Sequence, residues 1–411
     1  MSKTTRLSLW LFIVFATFTC QRKSESIERP QIIPVTNPWE DRMIGSFESY
    51  FESKLQSTKC PGAAVVIVKD STIVFMKGFG VRDTRTSEPV DEHTVFRIGS
   101  LSKGFSGVLA SKLIDQGHFN WDDKVVATVP EFTLQDKEQA ERITIKNILS
   151  HTTGLGKHSY TNLIEDRVAL HDIIPKFAPL KTYGKEGEFY AYQNAAFAMI
   201  EKVIEAETGD TYPESLESEI FQPIGMVDAS ATYEGMLTAE NVALPHRYYR
   251  SKGMYVPLKI NKKYYNAPSA GGINASISDM GEWLKMLLGN RPDVISDQAL
   301  DSAFHPAVKI YERRSYRRWE GFKEAYYSMG WRVLRHDDRD ILYHGGYVND
   351  YVSQIALDRE SKIGICVLYN AINSGANKVI PEFLTRYRDM EEKSNDELRF
   401  ESVVGTGASN R

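Results

Sequence analysis

Ser100 and Lys103 stand three residues apart in Phe96-Arg97-Ile98-Gly99-Ser100-Leu101-Ser102-Lys103-Gly104-Phe105, where a short apolar run meets a helical pattern. Positions i and i+3 share one face of a helix, so the hydroxyl and the amine can meet. An amine held away from water beside a hydroxyl loses proton affinity and acts as a base, which makes the serine a nucleophile. The same spacing also arises by chance, as a helix-capping serine beside a solvated lysine. The pair gains meaning only if the chain supplies a proton shuttle, an oxyanion hole and a wall that orients substrate. Ser102 lies on another helical face and is expected to pack, not to react.

A tyrosine can shuttle protons if nearby cations lower its pKa. Four Tyr-x-Asn triplets occur, at Tyr160, Tyr192, Tyr264 and Tyr347. Tyr192-Gln193-Asn194 is the one at a loop-to-helix junction, where Asn194 falls near the helix start and the tyrosine can point outward. Those at Tyr160 and Tyr347 suit aromatic packing beside a turn. The glycines of Tyr343-His344-Gly345-Gly346-Tyr347 follow a strand and let backbone approach a ligand closely. A strand amide there would complete an oxyanion hole with the amide of Ser100. His344 is either a turn residue or a group that orients substrate and sets the charge of the site.

The elements that must hold these residues follow from pattern. Asp41–Lys59 is helical, with Met43, Ile44, Phe47, Tyr50, Phe51 and Leu55 on one stripe. Ala63–Val68 and Ile73–Val81 form a hairpin around Lys69-Asp70-Ser71-Thr72. A largely helical stretch, roughly 101–260, follows the nucleophile. Strand signals return at Tyr327–Leu334, Ile341–Tyr343, Tyr351–Leu357 and Lys362–Leu368. Asn377–Met390 is a closing helix despite Pro381, and 391–411 is expected to be disordered. The fold class is therefore mixed α/β: an antiparallel sheet built from both chain ends, flanked by helices, with a largely helical inserted subdomain. The catalytic domain is placed at 41–390.

The net charge of −4 over 411 residues argues against a nucleic-acid partner, which calls for a basic patch. Lys3 and Arg6 precede an apolar run too short to span a bilayer, so residues 1–20 are a secretory signal peptide and 21–40 a polar linker. Cys20 resembles the lipid-acceptor cysteine of bacterial lipoproteins, although the preceding residues depart from the usual small-residue pattern. Export places the body in the periplasm or cell envelope, and a lipid on Cys20 would tether it to a membrane. Cys60 and Cys366 allow one disulfide or two buried thiols. The chain has no C-x-x-C or H-E-x-x-H, and its histidines show no ligand spacing, so neither metal nor cofactor is expected.

The ordered set resembles the serine β-lactamase and penicillin-binding-protein-like superfamily, in particular the class C β-lactamase-like serine hydrolases. Ser-x-x-Lys, Tyr-x-Asn and a glycine-rich third box stand in that family's order. Flanking matches include Pro61-Gly62-Ala63-Ala64-Val65, Leu149-Ser150-His151-Thr152-Thr153-Gly154-Leu155 and Met329-Gly330-Trp331. The resemblance spans roughly Phe47 to Phe383. It implies that Ser100 is the acylated nucleophile, that Lys103 and Tyr192 are its general-base pair, and that Asn194 binds the substrate amide or carbonyl. It also implies an oxyanion hole from the amides of Ser100 and Tyr347. His344, Gly345, Gly346 and Tyr347 would line the substrate site. The third box departs from the family's usual Lys-Thr-Gly: a fixed lysine charge suits a carboxylate, whereas His344 is mostly neutral at pH 7. This favours an esterase, amidase or peptidase acting on a small-molecule or peptide substrate. The alternatives are a penicillin-binding D,D-peptidase or β-lactamase, and a catalytically silent cell-surface binding or sensor domain. The loops Lys157–Lys185 and Tyr233–Asn266 would set specificity, the second through its many tyrosines.

Overall fold

Ala63-Ala64-Val65-Val66-Ile67-Val68 carries no polar side chain because its strand is covered on both faces. This strand, β1 (Gly62–Lys69), turns into β2 (Thr72–Gly80). The computed structural model describes residues 38–407 apart from 312–315, 317, 320 and 337. The expected signal peptide, Cys20 and almost all of the expected linker lie outside the described residues.

Short strands β3 (Phe96–Arg97), β4 (His246–Tyr249), β5 (Met254–Pro257) and β6 (Asn274–Ala275) pair as β3–β6 and β4–β5 within the helical region. The chain then adds β7 (Val308–Lys309), β8 (Glu324–Tyr327), β9 (Arg332–Arg335), β10 (Asp340–Val348), β11 (Tyr351–Asp358) and β12 (Ile363–Tyr369). The main sheet has the order β2-β1-β12-β11-β10-β9-β8-β7, with every pairing antiparallel. β1 runs beside β12 from Ala63↔Tyr369 to Lys69↔Ile363, so both ends of the chain complete one sheet.

The period of two along β1 divides the core. Ala64, Val66 and Val68 face the inserted helices, and Ala63, Val65 and Ile67 face the terminal ones. Phe47 and Phe51 from the helix Pro38–Thr58 meet Phe383 and Tyr387 from the helix Ala376–Gly407 on that second face. The Phe47 and Phe383 rings lie 5.1 Å apart, edge to face. The result is three layers, helices on both sides of a sheet, in the mixed α/β class.

One expectation changes, and one open alternative is decided. The closing helix continues through Gly407 where a loose tail begins in the sequence reading. Glu391, Glu392, Lys393, Glu397, Leu398 and Arg399 are intrinsically good helix formers, which favours carrying the helix onward. Cys60 and Cys366 are both free; Cys366 is buried and paired in register with Val66. Among the described residues no helix is long and apolar enough to cross a membrane.

Candidate active site

Ser100 sits in the short 3-10 turn Gly99–Leu101, which runs straight into the helix Ser102–Asp115. Three contacts clamp this turn. Ile98 N–H donates to the Ile273 carbonyl at 3.0 Å. Ser102 Oγ donates to the Gly99 carbonyl at 2.7 Å and accepts from Ile273 N–H at 3.1 Å. Ser353 Oγ on β11 donates to the Ile98 carbonyl at 2.6 Å. Ser102 is fully buried and spent on packing, while Ser100 is half-buried and lines a cleft of about 480 Å³.

Lys103 is completely buried. Its Nζ donates to Asn194 Oδ1 at 2.8 Å and to the Ala270 carbonyl at 2.6 Å. Burial, reinforced by the Arg332 charge, holds its amine well below the usual lysine range. A neutral amine has two N–H bonds and one lone pair. Both N–H groups have acceptors here, so the lone pair is left over. Ser100 Oγ is not bonded to Lys103, as the i,i+3 spacing suggested; it accepts from the Tyr192 hydroxyl at 3.0 Å. The ammonium position lies 4.8 Å from the Tyr192 ring centre.

Tyr192 differs from expectation in its acidity. Burial pushes its phenol up to about 12, and the opposing pull of Arg332 is smaller. The phenol therefore rests protonated and donating. Asn194 also differs. It is 4% exposed; its oxygen holds Lys103, and its Nδ2 donates to Thr161 Oγ1 at 3.3 Å and Tyr264 OH at 3.2 Å. It faces Lys103 and lies behind the cleft wall.

β10 and β11 meet in a two-residue turn, Asn349-Asp350, with φ of 48° and 65°. Such a turn makes Val348–Tyr351 a hydrogen-bonded pair and Tyr347–Val352 a non-bonded one, which aims Tyr347 N–H away from β11. That edge of β10 is beyond the reach of β9, which pairs only with Asp340–Tyr343. It lies against the Ser100 turn instead: a Cβ built on Gly99, whose φ is 52°, would stand 2.8 Å from Tyr347 N. A Cβ on Gly346 would collide with the Ile98 carbonyl and Ser353 Oγ. The two glycines let the strand that carries Tyr347 N–H approach the nucleophile.

Gly345, Gly346 and Tyr347 line the cleft, but His344 does not. It is completely buried on the opposite face of β10. Nδ1 donates to the Gly345 carbonyl at 2.9 Å, and Nε2 accepts from Tyr327 OH at 3.2 Å. Burial, then Arg332 and Lys103, hold its imidazole well below the usual range, so it stays neutral. The alternation of side chains along a strand makes the difference: Tyr343, Gly345 and Tyr347 share the cleft face.

The sequence reading missed Arg332. It lies on β9, lines the cleft and sits 5.8 Å from the Tyr192 ring centre. Its one signal is a lone charge in the apolar run Trp331–Leu334. Lys157 and His158 line the same cleft, and among the described residues no carboxylate lines it. Most tyrosines of 233–266 lie elsewhere: Tyr265 stacks on Arg97, and Tyr248 and Tyr249 are exposed on β4. Among the described residues no cluster of three His, Cys, Asp or Glu is placed to hold a metal.

Comparison with known proteins agrees with this architecture. Protein flp of Staphylococcus aureus is 25% identical over 341 residues, covering 82% of this chain and 65% of that protein. The chain thus spans just under two thirds of that relative's length. Unguisins hydrolase ungD' of Aspergillus campestris is 24% identical over 338 residues, covering 79% and 61%. The octameric penicillin-binding protein homologue from Pyrococcus abyssi superposes with a TM-score of 0.69 at 25% identity, covering 80% of this chain and 73% of that one. The model of the Beta-lactamase family matches residues 47–381, and with the clamped Ser-x-x-Lys turn, Tyr192 and the β10 edge lying inside that span, the chain belongs to the Beta-lactamase family.

Proposed function

We propose that the protein is an exported serine hydrolase that cleaves an ester or amide through an acyl-enzyme on Ser100. The observation that carries this reading is the Tyr192–Ser100 hydrogen bond of 3.0 Å beside a buried Lys103 whose two N–H groups are already bonded. Ser100 Oγ attacks the substrate carbonyl carbon, and its proton passes to the Tyr192–Lys103 pair. The carbonyl oxygen becomes an oxyanion and takes hydrogen bonds from the amides of Ser100 and Tyr347. The bond to the leaving alcohol or amine breaks as that group receives the proton. Water then attacks the acyl carbon, gives its proton to the same pair, and Ser100 is released.

The hydrolase named among the relatives supports the reaction class. Labelling by a fluorophosphonate and turnover of a short-chain p-nitrophenyl ester test it. Both are expected in the wild type and absent in Ser100→Ala; turnover surviving that change overturns the assignment.

One observation favours a second reading, a peptidase or amidase acting beside a carboxylate. Arg332 lines the cleft, 5.8 Å from the Tyr192 ring centre. An arginine fork suits a carboxylate. The charge that the third box lacks at His344 is thus available from β9. Retention at the cell envelope by a lipid on Cys20 belongs to the same proposal and is checked by palmitate labelling of the wild type against Cys20→Ala.

A further inference from the structure

We propose that His151 is the positioning residue for Tyr192, an inference that rests on Tyr192 being the proton relay of Ser100. His151 follows the helix Ile145–Leu149 and is completely buried. Its carbonyl oxygen accepts the N–H of Ala191 at 2.9 Å, and its Nδ1 accepts the N–H of Gln193 at 3.3 Å. The amides immediately before and after Tyr192 are therefore both held by one residue. Its ring also packs on the Tyr192 ring, with centres 4.4 Å apart. A single residue thus fixes the backbone on both sides of the phenol and the plane of the phenol itself.

The φ of His151 is 60°, a left-handed conformation in which histidine and asparagine are enriched among residues other than glycine. One feature argues that this is more than packing. A backbone N–H can only donate, so Nδ1 carries the lone pair and the ring proton is on Nε2. Nε2 is buried and has no hydrogen-bond partner among the described residues. It is enclosed by the rings of Tyr190, Tyr192, Phe197 and Tyr327. An unpaired buried N–H is unfavourable. A phenylalanine would fill this space without it. What the imidazole supplies and an apolar ring does not is the acceptor for Gln193.

The test is steady-state turnover of p-nitrophenyl acetate. His151→Gly removes the ring and acceptor while tolerating the backbone angle. It is expected to lower kcat about 100-fold with KM changed by less than about threefold, as for a misplaced catalytic group. His151→Asn keeps an acceptor near the Nδ1 position and tolerates left-handed backbone, so it is expected to recover kcat to within about tenfold of wild type. In a Tyr192→Phe background the His151→Gly change should cost almost nothing more, because the two act through one group. Losses that add, an asparagine variant as slow as the glycine one, or an unchanged kcat in His151→Gly overturns the proposal. If His151→Gly does not fold, His151→Phe, which fills the ring's space without the acceptor, replaces it and the same outcomes decide. Turnover by Ser100→Ala at the wild-type rate is a separate result: it removes the reading of the site itself, and this inference falls with it.

Discussion

Asn194 Oδ1 takes one proton of Lys103 at 2.8 Å, and no carboxylate stands in its place. The neutral amide accepts the hydrogen bond without adding a negative charge that would hold the proton on the amine. Burial and the Arg332 charge therefore lower the Lys103 pKa unopposed by a carboxylate.

The pH dependence follows from this pair. The reaction requires the uncharged amine, so kcat/KM is expected to rise with pH through the depressed Lys103 pKa and to level off well below the ordinary lysine value. In Asn194→Asp a negative charge beside Lys103 should raise its pKa by about 1–3 units, moving the rise to higher pH. At neutral pH the loss is then at most about 10- to 1000-fold, with recovery as pH increases. pH–rate profiles of the two proteins check this; superimposable acid limbs would count against Lys103 as the base.

Arg332 predicts a substrate preference. Removing a charge-assisted hydrogen bond costs about 1.5–3 kcal/mol, or roughly 10- to 100-fold in binding. Arg332→Ala should raise KM by that factor for amides bearing a carboxylate near the scissile bond. A neutral ester of similar size should be almost unaffected. Equal losses for both would assign Arg332 to folding or to Tyr192 alone.

Gly346 bears on the oxyanion hole. A methyl group there meets the Ile98 carbonyl and Ser353 Oγ, both on the clamp of the Ser100 turn. Gly346→Ala should push β10 away from Ser100 and lower kcat by about 100-fold or more, as for a lost oxyanion donor. The variant's thermal unfolding separates this from global loss of structure.

His344 links the third box to acid stability. It is neutral in the folded protein, whereas an unfolded chain protonates histidine below about pH 6.5. Its contribution is therefore present above that pH and lost as pH falls below it, by up to about 1.4 kcal/mol per pH unit. Glu201 and Asp279, whose carboxyls burial raises to about 7 and about 6, act with the opposite sign in the same window. The informative quantity is thus a difference: urea stability measured near pH 5 and pH 7 should fall more in the wild type than in His344→Gln. Parallel changes would mean that His344 is charged or exposed.

Much of the fold is legible along the chain. Ala63–Val68 declares a doubly covered strand, and the Phe47–Phe51 stripe declares an amphipathic helix. Neighbouring residues carry those patterns, and local periodicity is enough to read them. The same holds for the three boxes, each a contiguous string, and for Ser102, whose helical face alone sends it inward. The helix end at Gly407 was harder, because charged residues are equally at home in a helix and in a loose tail.

The site divides differently. Residue types and order were enough to single out Ser100, Lys103, Tyr192 and the β10 glycines as a group. They could not say which atom Lys103 bonds, since its two acceptors lie 91 and 167 residues away in the chain. They could not separate His344 from the glycines beside it, because which face of β10 meets the cleft depends on the packing of the sheet. Nor could they reveal Arg332, a lone charge on a strand until β9 is set beside Tyr192. Spacing determines what can share a turn or a face; burial, acidity and hydrogen-bond partners come from segments remote in sequence, and only the folded chain brings those together.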